Sequence, residues 1–320
     1  MGVVVPATGA LLGKILDETF PQWGEGLDRA GYARYNAAQL ATPWGASQLR
    51  RVALVDGTEW LATAKVYRLR ARFEGREVAM VGLGAVFTPP RRRRRGHAAE
   101  LIRHVLAAAA ADGCRLAVLF SEIRPSYYEQ FGFRTVPIRQ VLLGTTRTPA
   151  PRAIALRSGE PRDLPAIVAI NAVQADGFRF TMLRDATSVA YAHAKKRLLA
   201  ACGRAGQRQV EFLAVEEGGR AAAYAVVLEV GEYWMITECG DRDPSGARVG
   251  AIVEAMLARP GKRRATQVRA WLPPGFLPPQ LQVLRSEAPQ IAMMVAPLGG
   301  FEIDPPIGHG DLAWWHGDAF

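Results

Sequence analysis

Hydrophobic positions change period partway through the first half of the chain. A continuous apolar run from Val78 to Phe87 stops at Thr88-Pro89-Pro90. From Ala98 on, Leu101, Ile102, Val105, Leu106 and Ala109 recur at helical spacing. The run predicts a buried strand, and the spacing predicts a helix over 97–111 that closes at Asp112-Gly113. Arg115–Phe120 reads as the next strand, so the order strand, crossover helix, strand predicts a parallel pair covered by the helix. Upstream, Arg51–Val55 and Trp60–Arg70 read as strands about the Asp56-Gly57 turn. The stretch from Leu11 to Leu40 reads as helix in pieces, broken at Pro21 and Gly31, with Trp23, Tyr32 and Tyr35 expected at the surface. Thr42-Pro43-Trp44-Gly45 reads as a turn.

After Thr145–Pro151, whose composition is that of a linker, the pattern begins again. Ile154–Leu156 reads as a strand and Asp163–Val173 as a helix capped by Asp163. Strands follow at Phe212–Val215, Ala223–Glu229 and Tyr233–Cys239, then a helix near 246–258. Strands at Gln267–Leu272 and Met293–Val295 complete the series. The expected division is a first domain over 1–147, a second over 152–300 and a C-terminal tail over 301–320. The fold class is α/β with mixed sheets.

Composition agrees with two packed domains: 320 residues, 49% hydrophobic and 22% charged. No apolar run reaches the ~20 residues of a membrane helix, and the first residues lack a basic signal-peptide start, so a cytoplasmic protein is expected. Cys114, Cys202 and Cys239 are widely spaced and odd in number, which suggests neither a disulfide framework nor a metal site. The net charge of +10 is unevenly spread. Residues 1–147 hold 21 Lys+Arg against 12 Asp+Glu, a balance of +9 of the total +10. A polyanionic ligand is therefore expected in the first half.

The arginines concentrate in Arg91–Arg95, directly before Gly96-His97-Ala98 and the helix. A helix start offers unpaired backbone N–H groups and a positive dipole end, which together suit phosphate. Arg93-x-x-Gly96-x-Ala98 resembles the Arg/Gln-x-x-Gly-x-Gly/Ala loop of the GNAT (Gcn5-related) N-acetyltransferases. Downstream, Ser121 through Tyr128 to Gly132-Phe133 resembles a second signature of that family, a short helix ending in Tyr-x-x-x-Gly-Phe. The resemblance covers roughly the first 147 residues, and the order of elements after the linker is similar to a second GNAT fold.

The resemblance implies two tandem acyl-CoA N-acyltransferase domains and acetyl-CoA as co-substrate, with no metal. It implies that Arg93, Arg94, Arg95, Gly96, His97 and Ala98 hold the pyrophosphate. Val86, Phe87 and Thr88 would pair with the pantetheine, Ser121 would stand beside it, and Tyr128 would supply the general acid. In the second half, Gly240-Asp241-Arg242-Asp243-Pro244-Ser245-Gly246 replaces the basic loop, and its two aspartates would repel phosphate. That copy is expected to be catalytically silent. Gly82 and Gly84 suggest a bulge or a close backbone approach.

Glu59 and Glu122 are candidates for deprotonating an amine. The stretch from Asp311 to Phe320 is too aromatic for a frayed tail. The resemblance to the enhanced-intracellular-survival acetyltransferases, also built on tandem GNAT folds, implies the Phe320 carboxylate as a base, the alternative being a tail docked for packing alone. The expected acceptor is a small or lysine-like amine, with Trp23, Trp44 and Trp60 near it and a homodimer possible. An aminoglycoside or polyamine acceptor is the alternative. Non-catalytic coenzyme sensing or nucleic-acid binding stands apart from these. No membrane or nucleic-acid partner is expected.

Overall fold

The computed structural model describes residues 2–146, 154–259 and 265–320. In chain order the first elements are β1 (Val3–Pro6), α1 (Gly9–Trp23), α2 (Arg29–Ala41), α3 (Pro43–Gln48), β2 (Leu49–Asp56), β3 (Glu59–Phe73) and β4 (Arg76–Phe87). Next come α4 (His97–Ala111), β5 (Leu116–Ser121), α5 (Ser126–Glu129) and β6 (Arg134–Thr135). The apolar faces read from the sequence pack as expected. Leu101, Ile102, Val105, Leu106 and Ala109 of α4 lie against Val81, Leu83, Ala117 and Leu119 of the sheet. On the opposite face Ile15, Ala53, Trp60 and Phe87 form a smaller cluster. Burying one such side chain stabilises the fold by about 1.5–3 kcal/mol.

The following elements are β7 (Gln140–Thr145), β8 (Leu156–Ser158), α6 (Leu164–Gln174), β9 (Phe180–Met182), α7 (Ala186–Cys202), β10 (Arg208–Glu217), β11 (Arg220–Val230) and β12 (Tyr233–Asp241). After these come α8 (Ala247–Ala258), β13 (Val268–Ala270), β14 (Leu281–Glu287), β15 (Ala292–Pro297) and β16 (Leu312–Ala313). One sheet runs β1-β2-β3-β4-β5-β15-β6, the other β8-β10-β11-β12-β13-β7-β14. Along these two paths every pairing is antiparallel except β4–β5 in the first and β12–β13 in the second; off the path, β16 pairs in parallel with β9. The two sheets therefore repeat one topology, each with a helix crossing between its parallel strands.

The division of the chain differs from the expected one. The first compact unit comprises Met1–Val136, Gln290–Ile307 and Phe320; the second comprises Pro137–Pro289 and Gly308–Ala319. Two strands account for the shift. β7, ahead of the linker, pairs with β13 and β14 of the second sheet. β15, expected to close the second domain, lies between β5 and β6 of the first. Residues 301–320 do not form a separate tail. The linker from Thr145 to Pro151 lies largely outside the described residues.

Local departures have local causes. Pro21 stays inside α1 near its C-terminus, and Gly31 lies in the first turn of α2, whose N-cap Asp28 accepts from the Gly31 amide at 2.6 Å. Tyr32 is buried, donating or accepting with Thr19 at 3.1 Å, rather than exposed. Thr42 caps α3, so the expected turn is a short helix. No helix among the described residues is long and apolar enough to cross a membrane.

Candidate active site

The parallel pairing of β4 with β5 runs from Met80–Leu116 to Leu83–Leu119 and goes no further, although β4 continues to Phe87 and β5 to Ser121. Beyond Leu83 the strands part, and that edge of β4 keeps backbone donors and acceptors unclaimed by β5. Ala85 sits in the opening with φ +47°, and the β3–β4 register shifts between Thr63 and Lys65. A bulge of this kind re-aims backbone groups, and a non-glycine residue held in that region stores about 1–3 kcal/mol. Val86 packs toward the α4 side, and Phe87 packs with Ile15 and Trp60 on the other. The Thr88 hydroxyl is buried without a hydrogen-bond partner.

The turn between β4 and α4 is built from left-handed residues. Arg94 has φ +61° and Gly96 has φ +82°, and Gly96 serves as the helix N-cap without a side-chain cap. The first backbone bond of the helix is Glu100 N–H to Gly96 O at 2.9 Å, so the amides of 97–99 remain available. The five arginines divide here. Arg91 makes a two-pronged ion pair with Glu18 at 2.7 and 2.8 Å, and Arg92 pairs with Glu59. Arg93 donates from Nε to Thr88 O at 3.2 Å, with its guanidinium over the Phe87 ring. Arg94 and Arg95 are exposed and take no ion-pair partner among the described residues. His97 opens the helix half-buried, and Ala98 follows it.

Past β5, the Ser121 hydroxyl donates to Ile123 O at 2.8 Å and accepts from Ile123 N–H at 3.2 Å, so it closes the turn into α5. Tyr128 is 8% exposed, edge-on to Tyr127 at 5.1 Å and to Phe133 at 6.2 Å. Burial first, then Tyr127 and the Glu122 charge, push its hydroxyl up to about 12. Tyr127 is the more exposed of the pair. Of the two glutamates considered as bases, Glu59 is held by Arg92, and Glu122 is exposed, its charge adding to the upward shift of Tyr128. Trp44 and Trp60 are core residues, which leaves only Trp23 partly accessible.

Phe320 belongs to this unit. Its ring centroid lies 4.2 Å from that of Tyr67 and 5.4 Å from that of Phe120. It rests on β4 where Gly82 and Gly84 leave no side chain. The close approach signalled by the two glycines is therefore real, and its occupant is the last residue of the chain. Tyr67 and Phe120 carry no pattern in the sequence that marks them.

The second unit forms the same turn differently. Gly246, φ +68°, caps α8, yet Asp241 at the end of β12 accepts from Arg248 N–H and Asp243 N–H at 2.9 Å each. Arg248 Nη1 also donates to Asp241, and Ser245 Oγ accepts from Ala247 N–H. A carboxylate of the chain thus stands at the helix start. Thr237 and Glu238 lie past the last β12–β13 pair, Ile236–Ala270, and Gly317 packs against both. Around them Arg184 bridges Glu238 at 2.5 Å and Asp318 at 3.5 Å, while His193 meets Glu238 at 2.8 Å. Lys196 donates to Gly317 O, Lys195 to Ala319 O, and Trp315 to Asn171. None of these residues has a spacing that announces it.

No curated protein matches the chain in sequence. A family model described as "Acetyltransferase (GNAT) domain" matches residues 30–136. Among solved structures, the chain is similar to a GCN5-related N-acetyltransferase from Kribbella flavida, at 18% identity and TM-score 0.68, over 93% of this chain and 71% of that one. A GCN5-related N-acetyltransferase from Anabaena variabilis aligns at 13% identity and TM-score 0.64, over 92% and 72%. Eis1 from Mycobacterium abscessus aligns at 13% identity and TM-score 0.56, over 93% and 73%. Residues 30–136 thus match a GNAT acetyltransferase domain, within a fold of two mixed sheets similar to that of the GCN5-related N-acetyltransferases.

Proposed function

We propose that the protein is an N-acetyltransferase that moves the acetyl group of acetyl-CoA to a primary amine. The observation that carries this reading is the uncapped start of α4 beside the parted strands β4 and β5. The free amides of 97–99, with Arg94 and Arg95 exposed in the same turn and Arg93 beside Thr88, would suit a diphosphate. Gly96 and Ala98 keep the backbone approachable. The free edge of β4 at Val86–Thr88 suits an extended pantetheine arm that adds to it as a strand does. Ser121, whose hydroxyl closes the turn onto Ile123, would stand beside that arm. Pairing of Arg91 and Arg92 with Glu18 and Glu59 removes the broad basic face that nucleic acid would need.

The step is direct: the amine nitrogen bonds to the acetyl carbon, the carbon–sulfur bond breaks, and the electron pair leaves on sulfur. The ammonium proton must depart first, because a free amine attacks and its conjugate acid does not. The Phe320 carboxylate takes that proton in this reading, and Tyr128 faces the sulfur. With its hydroxyl near 12, Tyr128 stays protonated across the working range and stabilises the thiolate by hydrogen bonding more than by giving up its proton. The acceptor is a small or lysine-like amine, with aminoglycosides and polyamines as the alternative class.

Calorimetry with acetyl-CoA, followed by thiol release over a panel of amines, tests the reading. Micromolar binding and turnover with one amine class are expected; no coenzyme binding at that concentration would overturn it. Tyr128→Phe should lower kcat by about 10²-fold while acetyl-CoA affinity stays within about twofold. The pH profile of the unaltered protein should show no alkaline limb from Tyr128 below pH 10, since burial pushes that hydroxyl up to about 12.

A further inference from the structure

The apolar strand β4 carries two glycines on one face, Gly82 and Gly84, although glycine in a strand interior costs about 0.5–1 kcal/mol against alanine. A Cβ at Gly82 would lie 2.5 Å from Cζ of Phe320. One at Gly84 would lie 3.2 Å from Cδ2 of the same ring and 3.6 Å from its backbone carbonyl carbon. Neither glycine is in the left-handed region, so the backbone does not require them; the ring above them does. Tyr67, cross-strand partner of Gly82, covers one side of the ring, and Phe120, just past the last β4–β5 pair, meets it edge-on at 88°. Tyr67 is itself 3% exposed and therefore rigidly placed.

We infer that Gly82, Gly84, Tyr67 and Phe120 form a receptor for the side chain of Phe320, and that the fit of this ring sets where the carboxyl group lies, next to Gly84 and the bulge at Ala85. The inference rests on the reading that the Phe320 carboxylate is the base, and adds that the aromatic ring is what places it. The four receptor residues are positioning residues. The ring of Phe320 acts on the reaction only through the group it holds. A misplacement of about 1 Å is enough to cost about 10²-fold in rate.

Three variants and one rescue separate the ring from the carboxylate. Phe320→Ala keeps the carboxyl group and empties the receptor; Gly82→Ala keeps Phe320 and fills the floor. Both should lower kcat by about 10²-fold with acetyl-CoA binding unchanged by calorimetry. Adding one glycine after Phe320 moves the carboxylate and leaves the ring its place. A chain lacking Phe320 should regain turnover saturably with 3-phenylpropionate, which carries both ring and carboxylate, and not with acetate at equal concentration. Wild-type kcat in Phe320→Ala, or equal rescue by acetate and phenylpropionate, overturns the receptor. A glycine-extended chain that is inactive while Phe320→Ala is active leaves the base reading standing without the receptor. An extended chain with unchanged turnover removes the base reading itself. The rescue is read on a variant with nothing added to the receptor, so it holds even where Gly82→Ala fails to fold.

Discussion

At the start of α4, Gly96 leaves the amides of 97–99 uncapped with Arg94 and Arg95 exposed beside them. At the start of α8, in the same topological place, Asp241 and Ser245 already accept from the helix amides, and Arg248 closes on Asp241 from the side chain. Both helices begin with a left-handed glycine after a strand that parts from its parallel neighbour. The difference is whose anion satisfies the helix. In the second unit the chain supplies it; in the first, no described side chain does. The opening past the parallel pair differs likewise, since Gly317 lies against Thr237 and Glu238 in the second unit. The same turn is kept in both units, and only the second fills it with a carboxylate of its own.

The sharpest way to break the comparison is to remove the internal anion. Asp241→Ala strips a buried carboxylate from Arg248 and from two amides, and should destabilise the second unit by about 3–5 kcal/mol in denaturant unfolding. An unchanged midpoint would mean that the carboxylate does not fill the role given to it. Next in size, replacing Arg93, Arg94 and Arg95 together by alanine should weaken acetyl-CoA by about 10²-fold or more, each charge-assisted contact to phosphate being worth ~1.5–3 kcal/mol. Arg91→Ala, taken from the same run but paired with Glu18, should leave coenzyme affinity where it was.

The smallest effect concerns pH and belongs to the second unit. The His316 ring packs edge-on against Trp271; burial first, then the charges of Lys196 and Lys195, bring its proton affinity down to about 3. The unfolded chain takes up that proton below about 6.5 and the folded one does not, so stability falls as pH drops through this window. Melting followed by tryptophan fluorescence should decline from pH 7 to pH 5. His316→Asn should flatten that decline, which separates the histidine from the neighbouring Asp318, whose burial shifts it upward and acts in the opposite sense. Lys196, brought down to about 8 by burial, adds stability as pH rises from about 8 towards 10.5.

What could be read from the sequence was what depends on neighbours along the chain. The helix over 97–111, the turn at Gly96 and the motif around Tyr128 each rest on spacing within a few residues, and all lie where the pattern put them. Gly82 and Gly84 announced a close approach without naming what approaches, because Phe320 is more than 230 residues away. The exchange of β7 and β15 left no local sign, since Gln140–Thr145 and Ala292–Pro297 are ordinary apolar strands whose partners are fixed only by the assembled sheets. Arg184, Glu238 and Asp318 are likewise scattered charges until the fold buries them together. Trp44, Trp60 and Tyr32 misled because aromatic residues near a chain start look alike whether they end up in a core or on a surface.

The position of β15 also has a consequence in time. β5 pairs along its whole length with Ala292–Pro297, so the inner edge of the first sheet stays open during synthesis until a segment some 170 residues further on has been made. At ~5–20 residues per second, that is on the order of ten seconds or more in which Leu116–Ser121 offers an unpaired, apolar edge. A ribosome-bound fragment ending after Phe133 would display every residue of the turn at Gly96 and still lack the strand that closes its sheet. The sequence of the first half is finished early; its structure is finished only near the end.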